Sequence, residues 1–358
     1  MNRKAVIATI LALTALGVGY FFFRPKLQST VGDVRPALLP PASSPPQVSG
    51  RPADRRLRVP EGYKVTLFAA QTPGARDLQL SPDGTLLVSL RTQGKVIALP
   101  DKDQDGVADE VREVLTNLQN PHGLAFHEGK LFIAEERQLN RYTWNEESLT
   151  ASLEKKLFDA PNGVTLPGGG GHQTRSIVFD NDGNLYISVG STCNVCIQEN
   201  PWHGSVIVTN AEGENPRIFA TGLRNAVFLT THPETDAVWV AEMGRDMLGD
   251  NIPPDEINIL RDGAHYGWPY CYDDRVYDRQ FGSESAAFCE QTLPPVFKIQ
   301  AHSAPLGLTF IQSNQFPTDW QGDLFVAYHG SWNRSEPTGY KVVRLNVEGE
   351  QVTGQEDF

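Results

Sequence analysis

One pattern recurs along this chain: an apolar run, a turn carrying Gly or Asp, then a second apolar run. The copies are Leu78-Gln-Leu-Ser-Pro-Asp-Gly-Thr-Leu-Leu-Val88, Leu124-Ala-Phe-His-Glu-Gly-Lys-Leu-Phe-Ile133, Ile177 to Ile187, Val227 to Val240, and Leu308-Thr-Phe to Gly322-Asp-Leu-Phe-Val326. Each reads as a strand pair closed by a turn. With Val88, Ile133, Ile187, Val240 and Val326 taken as equivalent, the steps are 45, 54, 53 and 86 residues. Repeats of that length, with several strands each and no helical periodicity, predict an all-β chain folded as a β-propeller. The longest step contains Arg261 to Gln300, rich in Gly, Asp and Tyr and without a clean strand pair, which reads as a loop excursion and not a hidden blade. Five copies are visible, and an open five-blade array would expose strand edges that a closed ring hides. The final blade is therefore expected to be missing or incomplete.

The ends of the chain speak to its compartment. Ala5 to Phe23 is an unbroken apolar run flanked by Arg3, Lys4, Arg24 and Lys26, long enough to cross a bilayer. Gly19-Tyr-Phe-Phe-Phe-Arg24 lacks the small residues of a signal-peptidase site, so residues 1–26 are expected to be a transmembrane anchor left uncleaved, with a cleavable signal segment as the alternative. Residues 27–60 are rich in Pro, Ser and Arg and read as an extended tether, which leaves 61–358 as the folded domain. Cys193, Cys196, Cys271 and Cys289 suit an oxidising compartment as two disulfides. Ile197 follows Cys196 where covalent haem attachment needs His, so electrons must leave through another molecule. The net charge of −12, from 31 basic and 43 acidic residues, leaves no basic stripe for nucleic acid.

Unusual residues gather in the loops beside the repeated strand pairs. Gly168-Gly-Gly-Gly-His172-Gln173 can form neither helix nor strand interior and reads as a loop that something approaches closely. Asn120-Pro-His122-Gly123, Gly222-Leu-Arg224-Asn225 and His329-Gly-Ser-Trp332-Asn333-Arg334 stand at corresponding points and bring His, Arg and Asn to the same rim, where propellers bind ligands. His127, His203 and His232 fall outside that register and are expected to be structural. Asp101-Lys-Asp103-Gln-Asp105-Gly106-Val-Ala-Asp109 has the alternating carboxylates and sharp-turn Gly of a calcium loop, although Arg112 occupies the twelfth position.

Gly170-Gly-His172-Gln173, Thr221-Gly-Leu-Arg224-Asn225, Ala241-Glu-Met-Gly244-Arg245 leading to Asp255-Glu256-Ile-Asn258, Tyr266-Gly-Trp268-Pro269, and His329 to Arg334 with Gly339-Tyr340-Lys341 form a specific set. In them the chain resembles the quinoprotein glucose and sorbosone dehydrogenases, closer to the sorbosone branch. These are six-bladed propellers that oxidise sugars with pyrroloquinoline quinone and calcium. The resemblance implies that His172 is the general base for the sugar hydroxyl, a role suited to imidazole. It implies that Arg224 and Asn225 meet the quinone, with Arg224 stabilising the developing oxyanion. Gln173, His122, Asn333 and Arg334 are expected in the cofactor cleft. Gly244 and Arg245 match the stretch whose carbonyls hold the catalytic calcium, and Glu256 and Tyr266 resemble ligands of a second calcium. Arg245 stands where soluble glucose dehydrogenase has Pro.

The resulting expectation is a dehydrogenase anchored in the inner membrane, its domain in the periplasm, oxidising an aldose or sorbosone-like sugar. Its electrons would pass to an external cytochrome or quinone. The alternatives are a calcium-dependent propeller lactonase, disfavoured because the rim offers His and Arg where carboxylates and amides are needed, and a non-catalytic propeller binding sugar or protein.

Overall fold

The computed structural model describes residues 57–158 and 165–358. The expected anchor and most of the tether lie outside the described residues; among those described, no helix is long and apolar enough to cross a membrane.

Five four-stranded antiparallel sheets follow one another along the chain. The first blade is β1 (Ala75–Leu80), β2 (Leu86–Leu90), β3 (Lys95–Leu99) and β4 (Arg112–Leu115); the second is β5 (Leu124–His127), β6 (Lys130–Ala134), β7 (Leu139–Asn145) and β8 (Thr150–Phe158). The third is β9 (Ile177–Phe179), β10 (Asn184–Val189), β11 (Ser205–Asn210) and β12 (Arg217–Thr221). In the fourth, β13 (Ala226–Thr231), β14 (Val238–Glu242) and β15 (Asp255–Ile259) are followed by the predicted excursion. It carries the ribbon of β16 (Cys271–Tyr272) and β17 (Val276–Tyr277) and a one-turn helix, α1 (Ala286–Cys289). Only then does β18 (Phe297–Ile299) complete the sheet beside β15. The fifth blade is β19 (Pro305–Phe310), β20 (Leu324–Tyr328), β21 (Lys341–Glu348) and β22 (Gln351–Asp357).

The repeated strand pairs are the two inner strands of each blade. Their alternation buries one apolar set on each face, and consecutive blades share cores. Leu87 and Ala98 meet Leu124 and Leu131, Phe132 meets Ile177 and Leu185, Tyr186 meets Leu229, and Val227 and Trp239 meet Phe310 and Val326. Among the described residues no such core joins the fifth blade to the first, and Leu78 and Leu80 on β1 stay exposed. The β-propeller expected from five visible repeats is found as five four-stranded blades among the described residues. Tyr63, ahead of β1, stacks on Phe316 and Trp320 and meets Phe358 edge-on in the fifth blade.

Side chains satisfy inner-strand N–H groups across blade boundaries, as buried backbone donors require. The Asp77 carboxylate accepts from Leu124 N at 2.8 Å, and Ser176 Oγ accepts from Leu229 N at 3.0 Å. Burial pushes Asp77 up to about 7, against the pull of those backbone bonds. Because the inner pair is antiparallel, with Ile177 opposite Ile187 and Ala226 opposite Glu242, the start of each first strand and the end of each second lie at one rim.

Candidate active site

The third blade sets the position of His172. The turn between β9 and β10 is held by Asp180, whose carboxylate accepts from Asn184 N at 2.7 Å and from the Tyr186 hydroxyl at 3.0 Å, while Gly183 takes φ +80°. The close approach predicted for the glycine loop is to the chain after β10. A Cβ on Gly170 would lie 2.3 Å from Thr192 Cα, and Gly171 N donates to Thr192 O at 3.1 Å. Gly190 is equally constrained, since a Cβ there would sit 2.5 Å from His172 Cβ.

His172 Nδ1 lies 3.0 Å from Ser191 O and 2.9 Å from Ser191 Oγ, and that hydroxyl itself donates to Cys193 O at 2.7 Å. A carbonyl accepts only, so Nδ1 carries the proton and Nε2 presents a lone pair. Burial, reinforced by the Arg224 cation, lowers His172 to about 4, leaving the ring neutral at ordinary pH. Arg224 is itself buried and fully engaged. It donates to Asn194 O (2.9 Å), Asn194 Oδ1 (3.0 Å), Gly244 O (2.9 Å), Met243 O (3.3 Å) and Asp246 Oδ2 (2.8 Å). Both residues line one cavity of about 140 Å³, shared with Asn225, Gly244, Asp246, Asp255, His302, Trp332 and Asn333. Asn225 is held from below, its N–H donating to Glu242 Oε1 at 3.1 Å.

Sequence reasoning assigned no role to Asp246, Asp255 or His302. Asp246 Oδ1 accepts from Asn333 Nδ2 at 3.0 Å, and Asp255 accepts from Gly244 N (3.0 Å) and Ala304 N (2.8 Å). Burial raises Asp255 to about 6. His302 donates Nε2–H to Gly249 O at 2.9 Å. The argument that this rim lacks carboxylates and amides is therefore corrected: two of each line the cavity. Asp246 follows Gly244-Arg245 directly, a signal that could have found it; His302 lies outside the register of the other rim loops.

Behind Arg224 lies a second, small cavity of about 20 Å³ lined by Glu242, Glu256, Tyr266 and Tyr272 among others. Glu242 and Glu256 face each other across β14 and β15. Glu242 Oε2 is buried without a partner, and burial together with Glu256 raises the Glu242 pKa well above the carboxylate range; burial takes Glu256 to about 7. Two buried carboxylates with a gap between them call for a proton or a cation. The Tyr266 hydroxyl donates to Ile259 O at 2.6 Å and accepts from Arg261 N at 2.9 Å.

Other expected residues lie apart from the main cavity. His122 is fully buried, its Nδ1 3.2 Å from Arg175 O and its ring against Phe228. Gln173 Oε1 accepts from Arg91 at 3.3 Å. Arg334 clamps the rim through Asp250 O and Glu336 O, outside the cavity lining. The cleft positions expected for them are corrected: none of the three lines that cavity; Gln173 and Arg334 bond neighbouring groups, while His122 keeps Nε2 buried without a partner. The Arg245 guanidinium turns away to buried Asp278 at 2.5 Å, so replacement of Pro puts no side chain into the cavity. Asp101, Asp103 and Asp105 bring carboxylate oxygens within 4.8 Å of one another in the first blade, while Asp109 accepts from Lys102 N. His127 stacks on Phe179, His203 bonds Gly190 O and His232 accepts from Glu234 N, the structural roles expected of them. All four cysteines are paired, Cys193 with Cys196 and Cys271 with Cys289.

A family profile described as TrAA12-like matches residues 57–357. An uncharacterised protein of Borreliella burgdorferi is 30% identical over 313 residues, covering 84% of this chain and 79% of that protein. The pyrroloquinoline quinone-dependent pyranose dehydrogenase of Coprinopsis cinerea is 24% identical over 344 residues, covering 82% of this chain but 45% of that enzyme. The holo form of its PQQ domain superposes with a TM-score of 0.72 at 21% identity, over 87% of this chain and 88% of that one. A calcium structure of a Trichoderma reesei carbohydrate-active enzyme of family AA12 gives 0.73 at 20% identity, over 87% and 86%.

Proposed function

From the premise that the chain belongs to the TrAA12-like family, matched over 57–357, we propose that it is a sugar oxidoreductase using pyrroloquinoline quinone and calcium. One observation carries this reading: a neutral imidazole with a free Nε2 lone pair and a buried guanidinium line the same cavity beside a set of hard oxygen donors. The residues fit both groups. For calcium, the Gly244 carbonyl and the Asp246 and Asp255 carboxylates supply oxygen ligands. For a flat polyanionic quinone, Arg224, Asn225 and Asn333 supply a cation and amide donors, and Asn333 Oδ1 is buried without a partner. Gap and charge at Glu242 and Glu256 suit a second, structural cation, and Asp101, Asp103 and Asp105 suit a third.

When bound, the quinone supplies the two-electron acceptor. The protein does the rest: His172 Nε2 takes the proton of the sugar hydroxyl, its ring fixed by Ser191 on the other nitrogen. Arg224 holds a fixed positive charge where negative charge develops, at no reorganisation cost because every donor is already anchored. Trp332, 76% exposed at the cavity, offers an aromatic face to a pyranose ring. Reduction of an external acceptor completes the cycle. Two disulfides favour work outside the cytoplasm, with the periplasm and an inner-membrane anchor as the proposed setting.

The test is reconstitution with quinone and calcium, followed by dye reduction with a panel of aldoses. His172→Ala is expected to abolish turnover while quinone binding persists. Failure to take up quinone, or full turnover by the variant, overturns the reading. The convergence of Asp246, Asp255, Asn225 and Asn333 also suits a calcium-dependent lactonase, which would open lactones, read as acid release, with calcium and without quinone.

A further inference from the structure

We propose that the Cys193–Cys196 loop is a strap that positions both reacting side chains, with Asn194 as the positioning residue for Arg224. Its consequence for turnover rests on the dehydrogenase reading; its structural content does not. The loop leaves β10 immediately after Gly190 and Ser191 and is closed by a disulfide between cysteines only three positions apart. Within it Asn194 spends nearly all its polar capacity on the site. Its carbonyl accepts from Arg224 Nε (2.9 Å) and Trp268 Nε1 (3.2 Å). Its side-chain oxygen accepts from Arg224 Nη2 (3.0 Å) and Asp246 N (2.8 Å), and its Nδ2 donates to Asp246 O (3.2 Å).

The other half of the loop reaches His172. Cys193 O accepts from Ser191 Oγ at 2.7 Å, which orients the hydroxyl lying 2.9 Å from His172 Nδ1. Gln198 fastens the strap from outside, accepting from Thr192 N (3.0 Å) and donating to Cys196 Sγ (3.1 Å). A guanidinium has five donors in a rigid plane, so a plane fixed on Nε and Nη2 by one residue is fixed altogether. An open four-residue loop would lose that geometry readily, whereas a closed one holds Asn194 in place before any ligand arrives. Nothing here requires electrons to pass through the disulfide.

The experiment follows the Arg224 Nε–H resonance in the isotope-labelled full chain without cofactor, assigned by its loss in Arg224→Lys. The strap predicts slow solvent exchange in the wild type and exchange faster by about tenfold or more in Asn194→Ala, which keeps the carbonyl acceptor for Nε but removes the side chain that holds Nη2 and Asp246 against it. Asn194→Asp, which keeps both acceptors for Arg224, is expected to stay slow. A dithiol reaches the half-exposed Cys193–Cys196 before the buried Cys271–Cys289. It transfers two electrons and two protons, becomes a cyclic disulfide, and is expected to reproduce the fast exchange. This arm also tests the strap if Asn194→Ala does not fold. In the quinone- and calcium-loaded enzyme, Asn194→Ala should lower kcat about tenfold with KM within twofold, and should cost nothing further in Arg224→Lys. Unchanged exchange in both the variant and the reduced protein, or additive losses in the double variant, overturns the proposal. A wild type that oxidises no aldose but shows the predicted exchange pattern overturns the dehydrogenase reading and leaves the strap standing.

Discussion

The two disulfides close loops that do opposite things. Cys271–Cys289 spans 18 residues of the fourth-blade excursion, with both sulfurs buried and α1 and the β16–β17 ribbon gathered around it. Cys193–Cys196 joins residues three apart in the chain and stands half-exposed beside Arg224 and Ser191. Chain-entropy arithmetic gives about 3 kcal/mol for the longer loop and about 2 kcal/mol for the shorter, too small a gap to explain why both exist. What separates them is what they touch. The excursion lends the site Trp268 and the Asp278 anchor for Arg245, but its disulfide bonds no residue of the cavity. One bridge is mainly a matter of stability, the other of geometry.

The largest effect that would sharpen this contrast is on the long bridge. Replacing Cys271 and Cys289 together by Ala is expected to lower the unfolding free energy by about 3 kcal/mol, read from the denaturant midpoint, with kcat/KM of the folded enzyme within twofold. An equal loss of activity and stability would break the comparison. Next comes Gly190→Ala, where the new Cβ must displace His172 Cβ from 2.5 Å and crowds Asn225 Oδ1 at 3.2 Å. Turnover should fall about 10- to 100-fold, equivalent to about 1.4–2.7 kcal/mol in the barrier, and because the Cβ also lies 2.9 Å from His172 O, the folded protein should lose about 1–3 kcal/mol of stability. Unchanged kinetics would mean that the strap side tolerates slack.

The smallest effect is a titration. His172 has its folded pKa lowered from 6.5 to about 4, so between those values the unfolded chain binds the proton and the folded one does not. Its contribution to stability is full above pH 6.5 and is lost progressively as pH falls towards 4. The ring resonance of His172 in the cofactor-free protein should stay flat from pH 8 to 5 and move only near 4. A midpoint near 6.5 would show the ring to be solvated and the strap open.

His172 was legible early because a glycine run, a histidine and a hairpin turn are all local signals. Arg224, Asn225, Gly244 and Asn333 were legible through motif resemblance, and they do meet at the cavity. His122 and Gln173 stand in equally suggestive loops, yet both lie outside the cavity lining, His122 Nδ1 against Arg175 O and Gln173 Oε1 accepting from Arg91. Asn194 carried no signal at all. Its importance comes from Arg224, thirty residues on, folding back against it.

The sequence by itself determined the repeat, the turn chemistry, the strand pairs and the placing of the excursion outside the blades. These depend on alternation and on Gly and Asp at fixed offsets, within reach of a few residues. Tertiary structure alone decided which rim residues face the cavity, that Glu242 stands opposite Glu256, and that Asp246 and Asp255 join Arg224. Those facts depend on register between strands and on rotation between blades, where residues far apart in the chain compete for the same buried donors and acceptors.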